Sequence, residues 1–220
     1  MIGEKDLINF IWAGVAIVLV TIPMHWIRHR TFQSEGVKSN TRGFCVFLTL
    51  SIWALWIAVT VRSESPLQAG LNAAFLGTLF WMAEIDARTR LLPDRSNLLL
   101  FLIAILRQPL LPQGSLLSGL IGCLIISVPM FVLCLFINGA FGGGDIKLTF
   151  AWGFFLGWKL ALVAFFLAVL TGGIYGAYLL LTGKKERKEH FAFGPFLCLG
   201  AILAVLWGNS LIEWYLGFYL

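Results

Sequence analysis

Charge is scarce in this chain. Asp, Glu, Lys and Arg make up 12% of its 220 residues while 59% are hydrophobic, and the mean hydropathy is +0.88. Too few polar residues remain to cover a water-facing surface, which excludes an ordinary soluble fold and makes lipid the solvent for most of the chain. Cysteine is sparse as well. Cys45, Cys123, Cys134 and Cys198 lie far apart in apolar stretches, with neither the CxxC spacing of a metal knuckle nor the clustering of a disulfide framework. They read as small apolar packing residues. A basic leader is also missing, since Met1 to Asp6 carries one lysine against two acids, so the first apolar run is expected to be retained rather than cleaved. No internal repeat or low-complexity linker is visible, and the longest polar segment, Arg28 to Arg42, is too short to fold alone. One membrane domain over residues 1–220 is the expectation.

What the chain has in abundance is apolar runs. Candidate spans lie near residues 7–27, 43–61, 67–85, 97–111, 115–137, 146–157, 160–182 and 191–207, which predicts an all-α, polytopic membrane bundle with about eight transmembrane segments. Two are weak against the roughly 20 residues that a straight span needs. The 97–111 run is interrupted by Arg107, Gln108 and Pro109, and 146–157 is short; either is expected to be tilted, broken or re-entrant where protein surrounds it. On an eight-span layout one side holds Arg28, Arg30, Lys38, Arg42, Arg88, Arg90, Arg95, Lys147, Lys184, Lys185, Arg187 and Lys188, and the other only Lys5, Arg62, Arg107 and Lys159. Twelve of the sixteen positive charges on one face makes that face cytoplasmic and puts both termini outside the cytoplasm. The run Lys184 to His190 then reads as a topology determinant that contacts lipid headgroups, not as a nucleic-acid patch. Trp207, Trp214, Tyr215 and Tyr219 near the outer end fit interfacial anchoring.

Only eleven acidic residues exist, and this layout sorts them. Glu4, Asp6, Glu64 and Glu213 fall on the outer side, and Glu35, Glu186 and Glu189 in basic loops. Glu84, Asp86, Asp94 and Asp145 remain, all near cytoplasmic helix ends. Asp145 stands directly behind Gly142, Gly143 and Gly144, which without side chains can adopt positive φ and let another chain approach closely. A carboxylate at membrane depth is costly and marks a functional site by default. Asp86 shares its predicted depth and face. Brought together, the two would share a proton, one acting as base toward a water and the other as acid, an arrangement that hydrolyses peptide bonds. Alternatively both merely end helices, Asp145 as an N-cap ahead of Ile146. Asp94 reads as a cap or solvated charge, and Glu84 as a partner that raises the pair's pKa.

At these residues the chain resembles the type IV prepilin peptidases, membrane aspartyl proteases of the GXGD class. Gly142-Gly143-Gly144-Asp145 fits the GXGD signature and is followed by Ile146-Lys147-Leu148; Ile85-Asp86 with Leu92-Pro93-Asp94 matches the first aspartate box; His190-Phe191-Ala192-Phe193-Gly194-Pro195-Phe196 resembles the late Phe-Gly-Pro-Phe element. The resemblance covers about residues 67–207. It implies catalytic roles for Asp86 and Asp145, and removal of a short basic leader from prepilins or pseudopilins at the cytoplasmic face of a bacterial inner membrane, with no cofactor or metal. Gly142, Gly143, Gly144, Lys147, Gly194 and Pro195 would support the site or contact substrate. Lys147 would orient Asp145 or snorkel to headgroups, and the Phe193–Phe196 turn would line a substrate groove or pack helices.

One departure stands out. Bifunctional members carry a large cytoplasmic loop with paired CxxC motifs and also methylate the new N-terminus. Here that loop is only Arg28 to Arg42 and has no cysteine, so the chain resembles a short form without the methyltransferase loop. The rival reading is a small proton- or ion-coupled transporter, for which intramembrane carboxylates near the midplane would be expected. A noncatalytic assembly subunit, its glycines serving helix packing, is a further rival.

Overall fold

A computed structural model of the chain describes residues 4–35, 65–108, 116–137, 139–182 and 192–218. Among them are six helices and no strand: α1 (Glu4–Ser34), α2 (Pro66–Thr89), α3 (Asp94–Arg107), α4 (Leu116–Phe136), α5 (Gly143–Leu181) and α6 (Gly194–Leu216). Local chemistry sets the ends that matter. At the start of α2, Ser65 Oγ accepts the Gln68 N–H (3.3 Å) and Pro66 supplies a preset φ at the first helical position. The helix stops where Arg90 takes a left-handed φ of 55° and donates its N–H to the Asp86 carbonyl (2.8 Å).

α5 is not one rod. Thirty-nine residues would make a straight helix about 58 Å long, nearly twice a bilayer core. At Gly157, however, φ is 74° and ψ 169°, a region open essentially only to glycine. The chain turns back on itself there. Leu160 lies against Gly208 near the end of α6, whereas Gly172 and Tyr175 lie against Phe193 and Phe196 at its start. Residues 143–156 therefore run away from the start of α6, and residues 158–181 return to it. The sequence reading of 146–157 and 160–182 as separate apolar stretches corresponds to these two arms.

The helices α2, α3, α5 and α6 pack as a closed ring, with α1 lying outside on α2 and α4 outside on α5. Phe75 of α2 and Phe155 of α5 stack across the ring with centroids 3.7 Å apart. Trp152, Met82, Leu148 and Leu197 are fully buried around them. Where α4 crosses α5, a Cβ on Gly122 would strike the Gly153 carbonyl, so only glycine permits the close approach on which membrane helices rely for packing.

Four helical stretches, Ile8–Ser34, Leu116–Phe136, Gly143–Leu181 and Gly194–Leu216, are long and apolar enough to cross a membrane. The chain is a multi-pass membrane protein. Eight such helices do not appear among the described residues, for identifiable reasons. The 43–61 run lies outside those residues, and 146–157 and 160–182 share one helix folded at Gly157. The 97–111 run begins earlier and ends earlier as α3, whose 14 residues span about 21 Å. The fourth, α2, is long enough but includes Gln68, Asn72, Glu84, Asp86 and Arg88.

Candidate active site

The site forms where the end of α2 meets the starts of α5 and α6. Asp86 sits one turn before the end of α2, with only 4% of its surface exposed. The Gly194 N–H, at the head of α6, faces its carboxylate and favours the ionised form, and Pro195 follows at a position where a missing N–H costs nothing. A Cβ on Gly194 would lie 2.5 Å from Asp86 Oδ2; no side chain fits there. That Oδ2 has no hydrogen-bond partner among the described residues. Asp86 lies beyond the 67–85 apolar run, and its carboxyl is pushed up to about 7, first by burial and then by the charge of Asp145, against which the Gly194 N–H pulls down. The two carboxylates thus lie within electrostatic reach of one another.

Asp145 is the third residue of α5 and is also buried. Its Oδ2 accepts the Gly142 N–H (3.2 Å), so Gly142, not Asp145, is the N-cap, and the carboxylate reaches back to it. The three glycines do not take the positive φ that their run allowed: Gly142 is extended (φ −73°, ψ 144°), and Gly143 and Gly144 already form the first turn. Their value is steric. A Cβ on Gly144 would come within 2.8 Å of Leu92 Cβ, while the Cβ position of Gly143 is open. Leu92 also lies 3.2 Å from the Cβ position of Gly194, and so wedges the heads of α5 and α6 at a fixed separation. Phe141 and Phe193, the residues before each head, pack with centroids 5.9 Å apart. Buried Cys198, one turn into α6, is within electrostatic reach of both aspartates.

Two neighbouring charged residues, Glu84 and Lys147, are engaged otherwise than expected. Glu84 faces away from the pair: fully buried, it binds Arg28 of α1 (2.9 Å) and Arg88 (3.2 Å). A carboxylate at position 84 points to a different side of α2 from one at 86, because two residues turn a helix through about 200°. Lys147 donates to Asp94 (2.6 Å), both exposed, because Asp94 opens α3 beside it and lies nearer solvent than Asp145. Sequence reasoning missed Asn97, whose Nδ2 reaches the Gly144 carbonyl (3.5 Å), and Arg28, which looked like a loop charge. Neither residue carries a local signal, since each contact joins different helices.

Apolar, membrane-length helices with two buried carboxylates at one end of their bundle define a multi-pass membrane protein with a candidate site at Asp86 and Asp145. Residues 73–177, which include both aspartates, match the type IV leader peptidase family. The chain is 35% identical over 164 residues to the prepilin leader peptidase/N-methyltransferase of Bacillus subtilis (strain 168), covering 74% of this chain and 65% of that protein. Against the protein of that name from Legionella pneumophila it is 29% identical over 220 residues, covering 95% and 72%; against that from Aeromonas hydrophila, 32% over 196 residues, covering 87% and 67%. The chain belongs to the type IV leader peptidase family. It spans about two thirds of the length of these relatives. No solved structure gives a significant match.

Proposed function

We propose that the protein is an aspartyl endopeptidase that removes the short basic leader from type IV prepilins or pseudopilins, at the cytoplasmic face of a bacterial inner membrane. The observation that carries this reading is the burial of two carboxylates, Asp86 and Asp145, at one end of the bundle, with Asp86 within electrostatic reach of Asp145, in a chain whose relatives are named prepilin leader peptidases. The pair holds one proton. The ionised carboxylate takes a proton from a water, whose oxygen attacks the scissile carbonyl carbon. The protonated partner, for which Asp86 is the natural holder, supports the developing oxyanion, and the proton passes to the departing amine as the C–N bond breaks. Exposed Gly142 and Gly143 leave the head of α5 free of side chains, which suits an extended substrate backbone running beside Asp145.

In the same reading the chain crosses the membrane about eight times, with the peptidase core over 67–207 and both termini outside the cytoplasm. Cleavage without methylation fits the short polar segment Arg28–Arg42, which lacks cysteine and whose residues up to Ser34 belong to α1. The end-on position of both aspartates favours a peptidase over a transporter, whose acids would sit near the midplane. The deciding experiment is a prepilin immunoblot with Asp86→Asn and Asp145→Asn enzymes expressed at wild-type level. Each should leave the prepilin uncut, and processing that persists in both would sink the assignment. Asp94→Asn should retain substantial activity. The mass of the mature N-terminus should match the unmethylated chain when this enzyme acts alone.

A further inference from the structure

Residues 143–156, the arm that carries Asp145, are cut off from the rest of α5 by the reversal at Gly157. A helix that ends leaves its last four carbonyls without intrahelical donors. Donors come instead from the far end of α3. Gln108 Nε2 donates to the Phe154 carbonyl (2.6 Å), and Arg107 Nη1 donates to that of Phe155, with the guanidinium also 4.4 Å from the Phe155 ring. Gln108 is 6% exposed.

Along its length α3 runs beside this arm. Phe101 packs on Phe150 and Phe154 (5.4 and 5.6 Å between centroids). At the aspartate end the ties are the Asn97–Gly144 hydrogen bond, long at 3.5 Å, and the Asp94–Lys147 pair. That pair is exposed on both sides, and exposed pairs hold little. Of the polar ties between α3 and this arm, the firm ones are therefore at the reversal, ten residues or about 15 Å beyond Asp145. Over that lever a tilt of about 4° displaces the carboxylate by about 1 Å, enough to cost a hydrolytic enzyme about a hundredfold in rate.

We infer that Arg107 and Gln108 are positioning residues for Asp145: they cap the carbonyl end of its arm and bind the arm to α3 as one body. This rests on the reading of Asp145 as catalytic. The test uses the full-length enzyme in detergent with a purified prepilin. Gln108→Met and Arg107→Met, which keep bulk and lose the donors, should each lower kcat about ten- to a hundredfold with KM within twofold of wild type. Arg107→Lys, which can still donate to Phe155, should recover at least a third of the rate. By hydrogen exchange, the amides of 143–156 should exchange at least tenfold faster in the Met variants while those of 158–181 are unchanged. Folded Met variants with kcat within twofold of wild type, or a loss that falls on KM, would overturn the inference. If neither Met variant accumulates, exchange in the wild type decides: 143–156 should open together with 94–107 and separately from 158–181, and opening with 158–181 would overturn it. Asp145→Asn, assayed alongside, separates the two ideas, because cleavage by that variant refutes the catalytic reading whatever the exchange shows.

Discussion

Asp86 and Gly194 depend on each other. The carboxylate is buried against a backbone N–H that only a residue without a side chain can bring so close. Gly194→Ala should therefore displace Asp86 and lower kcat by about a hundredfold, with the helix content by circular dichroism unchanged. The raised pKa sets the pH dependence. With the Asp86 carboxyl pushed up to about 7, the pair keeps its shared proton below that value and loses it above, so kcat/KM should fall as pH rises through about 7. The apparent value belongs to the pair. A rate that kept climbing to pH 9 would remove the acid role. Both aspartates and the glycines were visible in the sequence because carboxylates in a chain this apolar are few. The wedge of Leu92 and the outward pairing of Glu84 were not, since each depends on which side of α2 faces which neighbour.

At the scale of elements, Gly157 does what no local pattern announced. The apolar stretches on either side of it were legible, but a reversal without a loop shows only as one glycine in a backbone region that other residues avoid. Gly157→Ala should destabilise the bundle by about 1–3 kcal/mol through backbone strain, and more through the approach of the new Cβ to Ser118 Oγ at 2.6 Å; thermal unfolding in detergent measures it. The docking of α1 on α2 rests on a buried ion pair, Arg28 with Glu84, whose side chains are 7% and 0% exposed. Arg28→Ala leaves a buried carboxylate with Arg88 as its remaining ion-pair partner and should cost about 3 kcal/mol. Asp94→Ala, breaking the exposed pair with Lys147, should show no measurable loss in the same assay.

For the whole molecule, the ring α2, α3, α5, α6 explains how residues 59 positions apart in the chain, Asp86 and Asp145, share one end of a bundle. The proposed orientation makes a direct prediction. In a cysteine-free background, Arg95→Cys should react with a membrane-impermeant maleimide only from the cytoplasmic side and Glu213→Cys only from the opposite side; the reverse pattern would invert the topology. Composition and the length of the apolar runs determined that the chain is helical and membrane-embedded, because so few charges cannot cover a soluble surface and runs of about 20 apolar residues cross lipid as helices. The glycine run and the scarce carboxylates likewise marked the candidate site, because a carboxylate in so apolar a chain is costly. Only the tertiary structure decided which carboxylates share one end of the bundle, which are tied up in ion pairs, and which side chains cap the arm of Asp145. Those outcomes come from contacts between distant helices, whose facing sides are set by packing and not by neighbours in the chain.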